Sequence, residues 1–282
     1  MKKLRKLFAL GVAVLALGVL ASSAFAFSFV SDYAGPIKFK FSNYSVGSLY
    51  FESSEGGYGY ADGEEDAWGI FKVSSIATDD LNETTLWFDG KDGEQLTGMY
   101  YGIDDDYWLL DDSGLTIESV GGQIDLYLDS TTAFDANLGP STRSGVASYP
   151  KVTDGILFLS TDFGTGLKFN DGDADNDYIT YHNQLTSNTS PFTGGGSFYL
   201  DVTGGAYADM FESNRWVLTD DNGNTVYRDF FGQFDTTTSG AGPWLVKSED
   251  PIQGAYTPEP ASMILMGIGL VGAVLRRKRV LG

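Results

Sequence analysis

The sequence predicts an all-β body, a β-sandwich of jelly-roll type, and three observations predict it. Short segments rich in aromatic and β-branched residues alternate apolar and polar positions, the period-two signature of strands. Between them lie clusters of Gly, Asn and Asp, which supply tight turns. Spacing of 3.6 residues is almost missing between the two ends, while 14% of the residues are aromatic and could fill the space between two sheets.

Taken in order, the chain opens with a basic region (Lys2, Lys3, Arg5, Lys6), an apolar run from Leu7 to Leu20, and Ala24-Phe25-Ala26. This is a secretory signal peptide, a helix over 1–26 whose Ala24 and Ala26 form the A-x-A site cut by signal peptidase after Ala26, with Phe27 the first mature residue. Residues 27–250 form one domain. Its strands are expected at Ile37–Phe41, Ser48–Phe51, Trp68–Ile76, Thr85–Asp89 and Gln95–Ile103, then at Leu115–Val120, Gln123–Leu128 and Ile156–Ser160. The last are Ser197–Val202, Trp216–Leu218 and Thr225–Phe234. The runs "DGKDGE" (89–94), "SVGGQ" (119–123) and "TDDNGNT" (219–225) read as turns, the third as a β-hairpin. "YADMFESNRW" (207–216) holds at most a short helix, and 251–257 reads as a linker.

Charge narrows the partners. Without its two ends the body carries 10 basic against 37 acidic residues, a formal charge of −27. Such a surface repels phosphate backbones and anionic headgroups, which excludes nucleic acid and peripheral membrane binding. Cysteine is absent, and with it disulfides, zinc-thiolate sites and cysteine nucleophiles.

Chemistry is harder to place. "NDGDADNDYI" sets Asp171, Asp173, Asp175 and Asp177 at alternate positions, where hard oxygen ligands could wrap Ca²⁺. It departs from an EF-hand, since Asn176 stands at the sixth position and His182 at the twelfth. Two further acidic clusters, Asp104 to Asp106 and Asp220-Asp221, fall where hairpin turns are expected. His182 is the only histidine and no G-x-S-x-G elbow accompanies it, so a serine-hydrolase mechanism has no support. Trp68, Trp87 and Trp216 sit inside strand patterns and read as core; Trp108 and Trp244 lie beside turns and read as exposed, sugar-stacking candidates.

The end of the chain is more specific. Pro258, Glu259 and Pro260 precede an apolar run from Ala261 to Leu275, followed by Arg276, Arg277, Lys278 and Arg279. Fifteen helical residues span about 22 Å, short of the roughly 30 Å of hydrocarbon they would have to cross. The basic cluster holds the C-terminal side in the cytoplasm, and two prolines keep Glu259 extended at the outer interface. Residues 258–282 resemble the PEP-CTERM sorting signal of Gram-negative bacteria, in which Pro-Glu-Pro precedes a short transmembrane helix (here 261–275) and an Arg-rich terminus. The resemblance implies an exosortase as partner, removal of the tail, only transient membrane attachment, and delivery to the cell surface or extracellular matrix after passage through the general secretion machinery. It also links the chain to exopolysaccharide and biofilm formation.

The expected function is therefore that of a non-enzymatic structural or adhesive matrix protein. A calcium-dependent carbohydrate-binding module is the alternative, followed by a polysaccharide-active hydrolase or lyase.

Overall fold

The computed structural model of the protein describes residues 33–47, 58–131, 133–186 and 191–257. The signal helix, the Ala24/Ala26 cleavage pair, the Ser48–Phe51 strand, the sorting residues 258–260, the transmembrane helix and the basic terminus lie outside them.

Twelve strands account for most of the described chain. They are β1 (Gly35–Val46), β2 (Ala67–Thr78), β3 (Thr85–Phe88), β4 (Gln95–Asp111), β5 (Gly114–Asp129), β6 (Ile156–Gly164), β7 (Tyr181–Leu185) and β8 (Thr193–Gly204). After a single helical turn, α1 (Ala208–Phe211), come β9 (Trp216–Thr219), β10 (Thr225–Arg228), β11 (Phe230–Thr237) and β12 (Val246–Tyr256). β9 and β10 form the hairpin expected around 219–225. The other ten belong to one antiparallel sheet in the order β1-β12-β11-β8-β6-β5-β4-β2-β3, with β7 between β5 and β8.

That sheet closes. β1 pairs with β12 from Gly35↔Tyr256 to Ser45↔Val246, and with β2 from Ile37↔Thr78 to Val46↔Trp68. Eight strand positions form a ring, which leaves no open edge among β1, β2 and β12. The all-β expectation holds. The jelly-roll order does not, because strands that follow one another in sequence lie beside one another in the ring, an up-and-down path that short connections favour. Pro251–Tyr256, expected as a linker, is the second half of β12 and part of the closure.

The other departures have local causes. The expected turn at 119–123 is absent: Gly121 (φ 67°) and Gly122 (φ 95°) kink β5 opposite Gly102 (φ 71°) of β4, and pairing resumes beyond them. The kink divides one lane of the ring between two strands. β6 pairs β5 below it (Gln123 to Leu128), and β7 pairs β5 above it (Leu115 to Ser119). Asp104 to Asp106 lie within β4, not in a turn.

Two cores stabilise the fold. The first fills the barrel, where Phe rings lie over glycines of the neighbouring strand. Gly98 is directly opposite Phe71, Gly232 opposite Phe198 and Gly196 opposite Phe234. A Cβ at these glycines would fall 2.2 to 2.3 Å from the facing ring, so the absent side chain is the space the ring occupies. Two voids between these rings measure only about 40 and 20 Å³, so the side chains around them are closely packed. The second core lies on the outside of β2 and β4, where Ile70 and Met99 are covered by Tyr149, Val152, Ala241 and Trp244. Trp244 donates from its indole to Ala136 O (2.7 Å). Trp108 and Trp244, expected exposed, are buried, while Trp68 and Trp216 are half-buried. A tryptophan beside a turn is buried when the loops fold back over the wall.

Candidate functional site

The outer face of β7, β8, β11 and β12 carries a trough that follows from which side chains face outward. The outward row of β8 is small: Thr193, Gly195 and Ser197. On one side β7 raises His182 and Gln184, with Thr186 just past its end, and on the other β11 raises Phe231, Gln233 and Asp235. A row of small residues between two rows of larger ones is a groove. It consists of two successive clefts of about 540 and 610 Å³ that share Thr186, Gly195 and Asp235. Each lies within the size range of ligand sites.

Register sets the chemistry of each rung. His182, Ser197, Gln233 and, one strand on, Pro251 lie level; Gln184, Gly195, Asp235 and Glu249 form the next rung. At the lower end Tyr199 and Phe231 lie 4.8 Å apart, and Trp216 packs 5.5 Å from Phe231. At the upper end Lys247 is bonded to Glu249. The trough is thus a ladder of amides, hydroxyls and carboxylates with an aromatic foot.

One flank is anchored by buried charge. Glu118, on β5 beside His182, is 2% exposed and accepts from Lys168 Nζ (2.5 Å) and Tyr58 OH (2.7 Å), with His182 Nδ1 at 3.2 Å. Burial pushes the Glu118 carboxyl up, but the bonds from His182, Lys168 and Tyr58 outweigh it and hold it down at about 2. Close by, Asp106 is buried and accepts the amides of Gly59 and Ala61 and the Tyr178 hydroxyl. The hydroxyl of Tyr178 is pushed up to about 12, by burial first and by Asp106 second. Asp104 accepts from Gly63 N (2.8 Å), so the acidic run of β4 tethers residues 59–63.

The aspartate loop is placed against this flank. Asn176 is buried and donates to Tyr58 OH (3.3 Å) and to Asp171 (3.1 Å). The carboxylates themselves turn back on nearby backbone: Asp171 accepts from the Asp173 amide and Asp173 from the Asp175 amide, which caps the short 3₁₀ turn 174–176. Asp177 accepts from the Asp221 amide (3.2 Å), and Asp220 from Asn224 across its own turn. Among the described residues no group of three or more His, Asp or Glu side chains is placed to hold a metal ion.

The trough and Glu118 were the parts not singled out in the sequence. A signal for each exists: "TGGGS" (193–197) continues the alternation of Ser197–Val202 backward with small residues, and Glu118 is a charge inside the apolar run "LTIESV". Lys168 and Tyr58 carry no such signal, because their role depends on loops that meet only in the fold.

Beyond the barrel, Thr257 donates its amide to Met210 O (2.8 Å), so β12 is tied down to the residue before Pro258. Residues 257–279 match the PEP-CTERM protein-sorting motif, which covers Pro258, Glu259, Pro260, the apolar run and Arg276 to Arg279. No curated protein and no solved structure matches the chain. The motif marks the protein for export and exosortase-mediated sorting to the cell surface. The body resembles no recognised family.

Proposed function

We propose that this chain is a surface or extracellular-matrix protein that acts without catalysis, as a structural or adhesive component associated with exopolysaccharide. The observation that carries the reading is a sorting motif joined, with no linker, to the strand that closes an all-β barrel. Such a body reaches the surface as a rigid unit, and its broad polar outer face suits adhesion. The state of two buried acids beside the trough supports the non-catalytic part. Glu118 is engaged by three side chains and Asp106 by two amides and a hydroxyl, so neither is poised to exchange a proton with a substrate.

Fractionation of producing cells tests the reading. The protein should co-purify with the extracellular polysaccharide, and replacement of Pro258, Glu259 and Pro260 by alanine should strand it in the cell envelope. Equal retention of both forms in the inner membrane would sink it. Incubation with the same polysaccharide should release no reducing ends, and their appearance would overturn the non-enzymatic part.

A further inference from the structure

The geometry points to the outer trough of β8 as the binding site for a single extended chain of a neutral, hydroxyl-rich polysaccharide, laid along the strand over Thr193, Gly195 and Ser197. This rests on the reading that the protein works among polysaccharides, and adds where and which kind.

Shape comes first. The two clefts follow one another along β11, and the six residue steps from Phe231 to Thr237 span about 20 Å of strand. A linear polymer fits this path, whereas a compact ligand would use one cleft and leave the other empty. The floor lacks bulk, so a sugar ring can approach the backbone of β8.

Chemistry comes second. The side chains along the path mix amides with carboxylates: Gln233 beside Ser197, Gln184 with Asp235 and Glu249 on the next rung, and Gln253 near the aromatic foot. Planar amides donate and accept at once, and carboxylates accept in pairs, which is what vicinal hydroxyls require. Half-buried Phe231 offers a flat ring at the lower end, suited to the C–H face of a pyranose.

Charge selects against anionic glycans. The cations of the region are already engaged, Lys247 by Glu249, and Lys38 and Lys40 of the adjoining β1 by Glu83. A uronate chain would meet Asp235 on a body of charge −27, with no arginine among the described residues that line the path.

Affinity electrophoresis of the full-length protein in mild detergent tests this, in native gels cast with hydroxyethyl cellulose, xyloglucan or polygalacturonate. Wild type should be retarded by a neutral polymer and not by polygalacturonate. Ser197→Leu, which fills the floor, should weaken retardation at least about tenfold in apparent dissociation constant, the equivalent of 1.4 kcal/mol. Gln233→Ala should also weaken it, and does not depend on tolerance of a larger side chain. Tyr227→Ala, on the exposed β10 hairpin, should leave it unchanged. Thermal melts confirm that the variants are folded. Equal retardation of wild type, Ser197→Leu and Gln233→Ala would overturn the trough while leaving the matrix reading intact. Retardation by polygalacturonate alone would overturn the proposed chemistry, and no retardation in any gel would overturn the inference, with the fractionation above still deciding the matrix reading.

Discussion

The two faces of β8 use glycine for opposite ends. On the inner face Gly196 makes room that the Phe234 ring fills, with a would-be Cβ 2.3 Å from the ring. On the outer face a Cβ at Gly195 would meet the Phe234 carbonyl oxygen at 2.9 Å and Asp235 Oδ1 at 3.6 Å but no ring, and among the described residues the row above it stays open as a groove. The same residue, one position apart, therefore serves packing in one direction and access in the other. Glycine content alone does not distinguish the two; the length of the side chain on the facing strand does.

The largest effect should come from the inner face. Gly232→Val would set a Cβ 2.3 Å from the Phe198 ring and add two methyl groups beyond it, a core overpacking worth about 3 kcal/mol. A chemical denaturation curve should show the midpoint fall at unchanged slope.

Next is the charged flank of the outer face. Glu118→Gln removes a carboxylate that is bonded to an ammonium, an imidazole and a phenol, for an expected loss of about 2 kcal/mol at pH 7. Because the folded carboxyl is held down at about 2, the stabilisation is present above its ordinary range near 4.5 and is lost as pH falls from there through 2. An acid titration of Glu118→Gln should therefore lose less stability across that window than wild type.

Asp105 runs the other way. Burial raises its carboxyl to about 6 despite the bond from Ser119, so the folded state favours the protonated form. Its contribution is full below the ordinary range near 3.8 and is lost as pH rises through 6. Asp105→Asn should gain about 1 kcal/mol at pH 7 and nothing at pH 3. Equal changes at both values would refute the assignment.

The smallest effect on folding belongs to the trough. Ser197→Leu should stay within about 0.5 kcal/mol of wild type, because the space it enters is open. A loss comparable to Gly232→Val would mean that the two faces of β8 do not differ in the way argued.

Much of the fold was legible in sequence because strands announce themselves locally. Alternation located β1, β2, β3, β6 and the hairpin of β9 and β10 within a few residues. It misread "SVGGQ" as a turn because glycine pairs signal reversal and kink alike; only the partner strand, with Gly102 opposite, makes it a kink. It missed β12 because Pro251 and charged Lys247, Glu249 and Asp250 disguise a strand whose inward positions are Ser248, Ile252, Gly254 and Tyr256. It placed Asp171, Asp173, Asp175 and Asp177 on one loop, but not the backbone amides that bond to one oxygen each of Asp171, Asp173 and Asp177.

By itself the sequence determined the all-β class, the charge of the body and the sorting motif, since each is written in contiguous residues. Tertiary structure alone decided that the sheet closes through β1 and β12, that Glu118 meets Lys168, and that small residues on β8 lie between longer ones on β7 and β11. These depend on register between strands far apart in the chain, and register is set by long-range pairing that no local pattern carries.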